Sequence, residues 1–231
     1  MKVYILHGWT YNQDKWLPLK KILEEKTKYP VEILDIPGLT GQIDRSWTID
    51  DYVDWLYQKV KKEKYINLIG GSNGGRISMN FVIKYPKLIS HLFLIDSAGV
   101  YQSSLIYRSK NFIFKLIAKM GKIFIKSQRL KIILYKMNRT NDYVLASDIM
   151  KNTLVNLITS DKQLDITQVK VPTTIIWGEN DSITPLWMGK QINQKINNSK
   201  LFIIKNAHHS PQFTNTEEVA KIIIKSLSFR T

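Results

Sequence analysis

The chain has 231 residues, 44% of them hydrophobic and 23% charged, a composition that excludes a disordered, a collagen-like or a multi-span membrane protein. Cysteine is absent, which excludes a disulfide framework, a thiol nucleophile and a thiolate metal site. Lys and Arg number 34 against 19 Asp and Glu, and this formal net charge of +15 raises the question of an anionic partner.

The first residues show neither a secretory signal nor a membrane span. Only four apolar residues separate Lys2 from His7-Gly8, too few for the hydrophobic region of a signal peptide. No stretch along the chain reaches about 18 uncharged apolar residues, the length that a membrane-spanning helix requires. We therefore expect a cytoplasmic protein.

Short β-branched and apolar runs recur along the chain, each followed by a turn signal. Because these runs are continuously apolar, they predict strands covered on both faces, as in a parallel sheet. Strands are predicted at 3–6, 31–36, 66–69, 92–95, 173–177 and 201–204, with helices at about 15–28, 48–63, 74–85, 186–197 and 215–228. The alternation predicts a doubly wound α/β fold, a mostly parallel sheet of about six strands with helices on both faces.

The alternation breaks between the fourth and fifth predicted strands. Residues 101–165 carry helical periodicity and no good strand, which indicates a helical insertion. Such an insertion lies on the side of the carboxyl ends of the strands, above the usual ligand crevice of an open α/β sheet. We therefore predict a core formed by 1–100 and 166–231, with 101–165 as a helical lid.

The third strand leads into Gly70-Gly71-Ser72-Asn73-Gly74, a G-x-S-x-G motif between a strand and a helix. A serine at the apex of so sharp a turn needs neighbours without side chains, and the turn exposes its hydroxyl above the sheet. The N-terminal N–H groups of the next helix suit a developing oxyanion. Ser72 is therefore a candidate nucleophile.

A serine nucleophile needs a base and an acid that orients the base. The fifth strand leads to Asp181 and the sixth to His208-His209, so the chain order is serine, acid, histidine. Asp96, which closes the fourth strand, is the rival acid, and we interpret it as a turn residue that bonds backbone N–H groups. His208 is the rival base, interpreted as a loop residue near the site.

These motifs resemble those of the α/β-hydrolase fold superfamily over essentially the whole chain. They are His7-Gly8-Trp9, similar to the oxyanion turn; 35–38, similar to the D-x-P-G loop; 177–185, similar to the acid loop; and 206–211, similar to the histidine loop. The resemblance implies a triad of Ser72, Asp181 and His209, with the backbone N–H groups of Trp9 and Asn73 as oxyanion donors. The turn and serine motif are similar to those of biotin-pathway carboxylesterases, small lidded esterases and C–C bond hydrolases.

Two features depart from the family pattern. Many members have a β-hairpin ahead of the first strand seen here, which supports a sheet of about six strands. Ala207-His208-His209 stands where glycine-histidine is usual, and the following Ser-Pro aligns His209 with the catalytic histidine. Of the other polar residues, His91 is expected to be exposed, and Asp161 and Asp165 to be surface or capping residues.

The motifs together predict a serine hydrolase that cleaves carboxylic esters with a small to medium acyl group. A C–C bond hydrolase of β-diketone-type substrates and a non-hydrolytic signalling or ligand-binding homologue are the alternatives. The sequence shows no metal-ligand spacing and no nucleotide-binding glycine motif, so no metal and no cofactor is expected.

The positive charge is concentrated in the predicted lid. Residues 101–151 hold 11 Lys and Arg against 2 Asp and Glu, a net +9. A stripe along one predicted helix consists of Lys115, Lys119, Lys122, Lys126 and Arg129. This face is interpreted as lysines in water above the acyl pocket, as a peripheral contact with an anionic membrane, or as a contact with an acidic carrier or an anionic substrate. Nucleic acid is not expected as a partner, because no binding fold is apparent.

Overall fold

The computed structural model describes residues 1–10, 12–101 and 146–228. The middle of the predicted lid, including its basic stripe, lies outside these ranges. The lid and its boundaries at 101 and 165 therefore stay predictions.

In the part of the chain that the structure describes, six strands form one sheet, and every strand pairing in it is parallel. The strands are β1 (Lys2–Leu6), β2 (Val31–Ile33), β3 (Ile66–Gly71), β4 (Ile89–Ile95), β5 (Thr173–Gly178) and β6 (Ser199–Ile204). Their order is β2-β1-β3-β4-β5-β6, which places β3 and β4 at the centre. The predicted six-stranded parallel sheet is confirmed.

Helices cover both faces of the sheet. They are α1 (Leu17–Thr27), α2 (Ile49–Val60), α3 (Asn73–Lys84), α4 (Asp148–Ser160), α5 (Leu186–Lys195), the short α6 (Pro211–Thr214) and α7 (Thr216–Ser228). Side chains of β1 alternate between two buried clusters. Tyr4 and Leu6 pack with α2, α3, α4 and α5, whereas Val3 and Ile5 pack with α1 and α7. This two-sided burial explains the continuously apolar runs of β1, β3, β4 and β5. The border strand β6 is less covered than its apolar run predicts, and its Ile203 is 41% exposed.

The strand β4 begins three residues earlier than its sequence pattern predicts. His91 therefore lies inside the strand, where it is only 7% exposed. Its Nε2 lies 2.8 Å from the hydroxyl of Thr174 on β5, and its ring stacks on Phe93. The expectation that His91 is exposed is wrong, because the pairing of β4 with its neighbours extends the strand beyond its apolar run.

The first turn of α3 packs directly on the end of β1. A Cβ added at Gly74 would overlap the carbonyl oxygen of Leu6 and lie 2.6 Å from that of His7. One added at Gly70 would lie 2.6 Å from the Cα of Gly75. The two outer glycines of the G-x-S-x-G motif thus allow the helix to approach both β1 and β3.

Within the described ranges, no helix combines the length and the apolar character needed to cross a lipid bilayer.

We expect Gly74→Ala to lower the free energy of unfolding by at least about 2 kcal/mol, because the new methyl group overlaps the backbone of β1. Helix propensity alone would instead raise the free energy of unfolding of the alanine variant by about 1 kcal/mol. The sign of the measured change therefore distinguishes the backbone overlap from helix propensity. Denaturant unfolding followed by circular dichroism measures it. Gly41→Ala is the control, since the nearest atom to its added Cβ is 3.7 Å away. Equal stability of the two variants would contradict this account of the turn.

Candidate active site

The candidate residues follow four neighbouring strands at one edge of the sheet. Ser72 follows β3, Asp96 follows β4, Asp181 lies in the loop after β5, and His209 lies in the loop after β6. Because the sheet is parallel, the carboxyl ends of these strands meet at the same edge. The topology therefore brings the candidate serine, acids and histidine to one side of the molecule.

Ser72 occupies a backbone conformation that few residues other than glycine adopt. Its φ is 51° and its ψ is −118°, between β3 and α3. The Ser72 N–H donates to the Ile95 carbonyl at 3.0 Å, and its own carbonyl accepts from the Ala98 N–H at 2.9 Å. These bonds tie the turn to the end of β4 and hold it in its unfavourable conformation, a pattern that concentrates at functional sites.

The predicted oxyanion donors flank this serine. A Cβ added at Gly8 would lie 2.9 Å from the Cβ of Ser72 and 3.5 Å from its hydroxyl oxygen, so the turn that contains Trp9 touches the serine. Asn73 is the first residue of α3, and its N–H has no acceptor within the helix. The backbone N–H groups of Trp9 and Asn73 donate to no other residue that the structure describes, so both remain candidates for binding an oxyanion.

The side chain of His7 holds the turn that contains Gly8 and Trp9 in place. The side chain is fully buried, and burial lowers the pKa of the imidazole, so the ring is neutral at pH 7. Its Nδ1 donates to the carbonyl of Gly8 at 2.9 Å. The histidine thus acts as a neutral hydrogen-bond donor that shapes the turn.

Asp181 is the direct partner of His209. The His209 Nδ1 lies 2.7 Å from Asp181 Oδ2, which also accepts the Thr184 hydroxyl at 2.7 Å. The other oxygen accepts the N–H groups of Ile183 at 2.7 Å and Thr184 at 3.0 Å. Burial by itself would raise the pKa of Asp181, but the hydrogen bond and charge of His209 and these further donors outweigh it and lower the pKa. Asp181 is therefore an ionised carboxylate that orients the imidazole.

Asp96 accepts hydrogen bonds from the backbone at the end of β5 and in the loop after β6, rather than from the imidazole of His209. One oxygen accepts the N–H of Gly178 at 2.8 Å and the other accepts the N–H of Ser210 at 2.6 Å. It lies 3.8 Å from His209 Nδ1, well beyond the distance to Asp181. Burial, followed by the nearby charge of Asp181, raises the pKa of Asp96 to about 7. The interpretation of Asp96 as a residue that bonds backbone N–H groups matches this geometry.

The two histidines of the loop have different surroundings. His208 is exposed, and its Nδ1 lies 3.2 Å from the carbonyl of Asn180. His209 is mostly buried, and its Nε2 makes no hydrogen bond to any described residue, Ser72 included. The structure therefore assembles the histidine–carboxylate pair beside the serine turn, while the bond from hydroxyl to imidazole is not formed. Such bonds are often long in unliganded sites.

One cluster has the composition of a metal site. Ligand atoms of Asp96, Asp181 and His209 lie within 4.8 Å of one another. The oxygens of both carboxylates accept N–H or O–H groups, and the His209 Nδ1 bonds to Asp181. This donor set fits an acid–base arrangement better than a cation.

The sequence did not identify a buried ion pair beside the serine. Arg76, on the first turn of α3, donates to both oxygens of Asp161. Asp161 is expected from the sequence to be a surface or capping residue; it holds the C-cap position of α4, but its side chain is buried, so only the surface alternative is wrong. Asp165 accepts the N–H of Thr167 at 3.1 Å and does cap a turn. A charged residue among the apolar residues of α3 was the available signal for a buried partner.

Comparison with known proteins agrees with this architecture. The family described as alpha/beta hydrolase fold matches residues 3–216. Monoacylglycerol lipase ABHD6 of Homo sapiens is 23% identical over 98% of this chain and 75% of its own length. The 2-hydroxy-6-oxononadienedioate/2-hydroxy-6-oxononatrienedioate hydrolase of Escherichia coli is 23% identical over 98% of this chain and 86% of its own. The crystal structure of CarC, a serine hydrolase involved in carbazole degradation, superposes with a TM-score of 0.71 at 21% identity, covering 100% and 92% of the two chains.

We expect Asp96→Asn to change how stability depends on pH. The unfolded chain releases the Asp96 proton near pH 3.8, whereas the folded protein holds it to about pH 7. This proton stabilises the folded state fully below pH 3.8, and the contribution is lost as the pH rises through 7. The wild type should therefore lose up to a few kcal/mol relative to the variant between about pH 4 and 8.

Urea unfolding at several pH values measures this difference. Asp44→Asn, at an exposed carboxylate, is the control and should follow the wild-type curve. Parallel curves for the wild type and Asp96→Asn across this range would contradict a raised pKa at Asp96.

Proposed function

Because the chain belongs to the α/β-hydrolase family, we propose that it is a serine hydrolase that cleaves carboxylic esters of small to medium acyl groups. The observation that carries the proposal is the 2.7 Å bond between His209 Nδ1 and Asp181 Oδ2, at the sheet edge where Ser72 occupies its strained turn. A serine, a base and an orienting carboxylate are the parts that acyl transfer requires.

In the first half-reaction, the hydroxyl oxygen of Ser72 attacks the ester carbonyl carbon. His209 Nε2 accepts the hydroxyl proton, and the imidazolium is stabilised by the Asp181 carboxylate on its other side. The proton then passes to the leaving alkoxide as the carbon–oxygen bond breaks. The products of this half-reaction are the free alcohol and an acyl ester on Ser72.

The N–H groups of Trp9 and Asn73 stabilise the tetrahedral intermediate of each half-reaction. Both are backbone donors fixed before the substrate arrives, so their orientation costs no reorganisation in the transition state. Loss of one such donor typically raises the barrier by about 3 kcal/mol.

In the second half-reaction, water replaces the alcohol. His209 Nε2 takes a proton from the water as its oxygen attacks the acyl carbon, and then returns the proton to the Ser72 oxygen. The carboxylic acid leaves and the serine hydroxyl is restored. No metal or cofactor takes part in this cycle.

Two relatives differ in the bond they cleave. The human relative is named a monoacylglycerol lipase, and this name supports ester cleavage. The Escherichia coli relative is named a hydrolase of 2-hydroxy-6-oxononadienedioate, and this name supports C–C bond cleavage as the second candidate. Both reactions use the same serine and histidine, so the discriminating measurement is the substrate that turns over.

We expect the wild type to react with a fluorophosphonate probe and to hydrolyse p-nitrophenyl esters of short and medium chains. Ser72→Ala should prevent labelling and lower kcat at least about 1,000-fold, because the attacking oxygen is removed. The control is Ser182→Ala, at an exposed serine next to Asp181, which should keep both activities.

Three outcomes would change the proposal. Full esterase activity in Ser72→Ala would refute the nucleophile, and an unlabelled, inactive wild type would favour a non-hydrolytic homologue. Turnover of 2-hydroxy-6-oxononadienedioate with no turnover of esters would favour the C–C bond hydrolase.

The two adjacent histidines allow a second test of the mechanism. His209→Ala should lower kcat by about 1,000-fold or more, because no other group takes the serine proton. His208→Ala should leave kcat close to the wild-type value, since its ring is exposed and contacts a backbone carbonyl. Steady-state kinetics on one ester measures both. Loss of activity in His208→Ala alone would reverse the assignment.

A further inference from the structure

The reaction described above leaves one buried charged group next to Ser72 without a role. Arg76 is 5% exposed, and Asp161 is 8% exposed. Arg76 Nε donates to Asp161 Oδ1 at 2.6 Å and Nη2 donates to Oδ2 at 2.8 Å, a two-point pairing. The third nitrogen, Nη1, donates to the side-chain oxygen of Asn73. The guanidinium of Arg76 thus links the Asp161 carboxylate to Asn73, the residue that follows the proposed nucleophile Ser72.

Burial of such a pair is a poor way to gain stability. The desolvation of two ions offsets much of their attraction, and apolar replacements are often neutral or stabilising. A buried pair that also bonds a third polar group therefore suggests a geometric role. Here the third group belongs to Asn73, whose backbone N–H is the proposed oxyanion donor.

The direction of that N–H depends on one peptide plane, the plane that joins Ser72 and Asn73. The Ser72 carbonyl accepts the N–H groups of Ala98 at 2.9 Å and Gly75 at 3.0 Å. In a trans peptide the C=O and N–H point in opposite directions, so these two bonds also aim the N–H. Arg76 holds the other end of the same unit through the side chain of Asn73.

Arg76 also lies close to the segments that follow β4 and α4. Asp161 directly follows α4. In the segment after β4, a Cβ added at Gly99 would lie 3.4 Å from the Cα of Arg76. The Lys162 ammonium lies 5.8 Å from the centre of the Tyr101 ring, which joins the two segments. The carboxylate that holds Arg76 is therefore itself held in place.

We propose that Arg76 is a positioning residue that, held by Asp161, fixes Asn73 so that its backbone N–H is aimed at the oxyanion. This inference rests on the proposed ester hydrolysis by Ser72. It assigns Arg76 and Asp161 no contact with substrate.

Two single variants separate the pairing from the positioning. Asn73→Ala keeps the backbone N–H and the Arg76–Asp161 pair but removes the side-chain oxygen that Nη1 holds. Arg76→Lys keeps a cation for Asp161, but its one nitrogen cannot occupy at once the position of Nη1 at Asn73 and those of the two nitrogens that pair with Asp161. We expect each to lower kcat about 10-fold to 100-fold with KM nearly unchanged, since a misaimed donor weakens only the transition state.

A pair of substrates distinguishes positioning from loss of structure. The thiono analogue of an ester develops charge on sulfur, which accepts hydrogen bonds weakly, so an oxyanion donor helps it less. Both variants should therefore lose more kcat on the oxygen ester than on the thionoester. The double variant should lose little more than either single variant, because both remove the same contact.

Lys84→Met is the matched control. Lys84 lies on the same helix and pairs with Asp54 at 2.7 Å, but on the exposed surface. This variant should leave unchanged both kcat and the ratio of kcat on the oxygen ester to kcat on the thionoester. If the ratio of kcat on the oxygen ester to kcat on the thionoester is unchanged in both Asn73→Ala and Arg76→Lys, the positioning role is overturned. If Arg76→Lys fails to fold, the ratio in Asn73→Ala alone decides.

Failure of the proposed function gives a different result. A wild type that neither hydrolyses esters nor reacts with the fluorophosphonate probe would refute the proposed function, and this inference with it. An active wild type in which Ser72→Ala is inactive, but with an unchanged ratio in the two variants, would overturn this inference alone.

Discussion

The contact between the first turn of α3 and the end of β1 is the constraint on which this edge of the molecule depends. No side chain fits at Gly74, so the helix meets the carbonyl oxygens of Leu6 and His7 directly. That approach brings the N-terminus of the helix next to the turn that contains Trp9. Ser72, in the turn before this helix, has a positive φ; its N–H donates to the Ile95 carbonyl and its own carbonyl accepts the Ala98 N–H, and these bonds hold that conformation. The strained serine and the N–H groups of Trp9 and Asn73 thus lie beside one close approach of backbones.

The surroundings of Asp96 and Asp181, the two carboxyls near the His209 imidazole, shift their pKa values in opposite directions. Asp181 gains donors that favour its charge, whereas Asp96 is more deeply buried and faces the charge of Asp181. Environments that separate two such pKa values typically assign the groups to different tasks. The Asp181 carboxylate stays charged beside the imidazole, as the proposed mechanism requires, and Asp96 binds the backbone N–H groups of Gly178 and Ser210.

The features that could be predicted from sequence are those that depend on residues close to one another along the chain. The turn at Ser72 is encoded by its own glycines, and a continuously apolar strand reports burial on both faces, so the sheet and the order of candidate residues were predictable. The missed features depend on partners distant along the chain. Arg76 and Asp161 are 85 residues apart, and the burial of His91 depends on Thr174 of the neighbouring strand. No local pattern reports such a pairing.

The position of Asp96 has a consequence for fluctuations of the sheet. His209 follows β6, which among the described strands lies at one border of the sheet, and border strands are where local opening is easiest. Asp96 extends from β4, two strands inward, and anchors the N–H of Ser210. Fraying of β6 therefore need not displace the imidazole. The loop that carries His209 is thus tied to the interior of the sheet, although it follows a border strand.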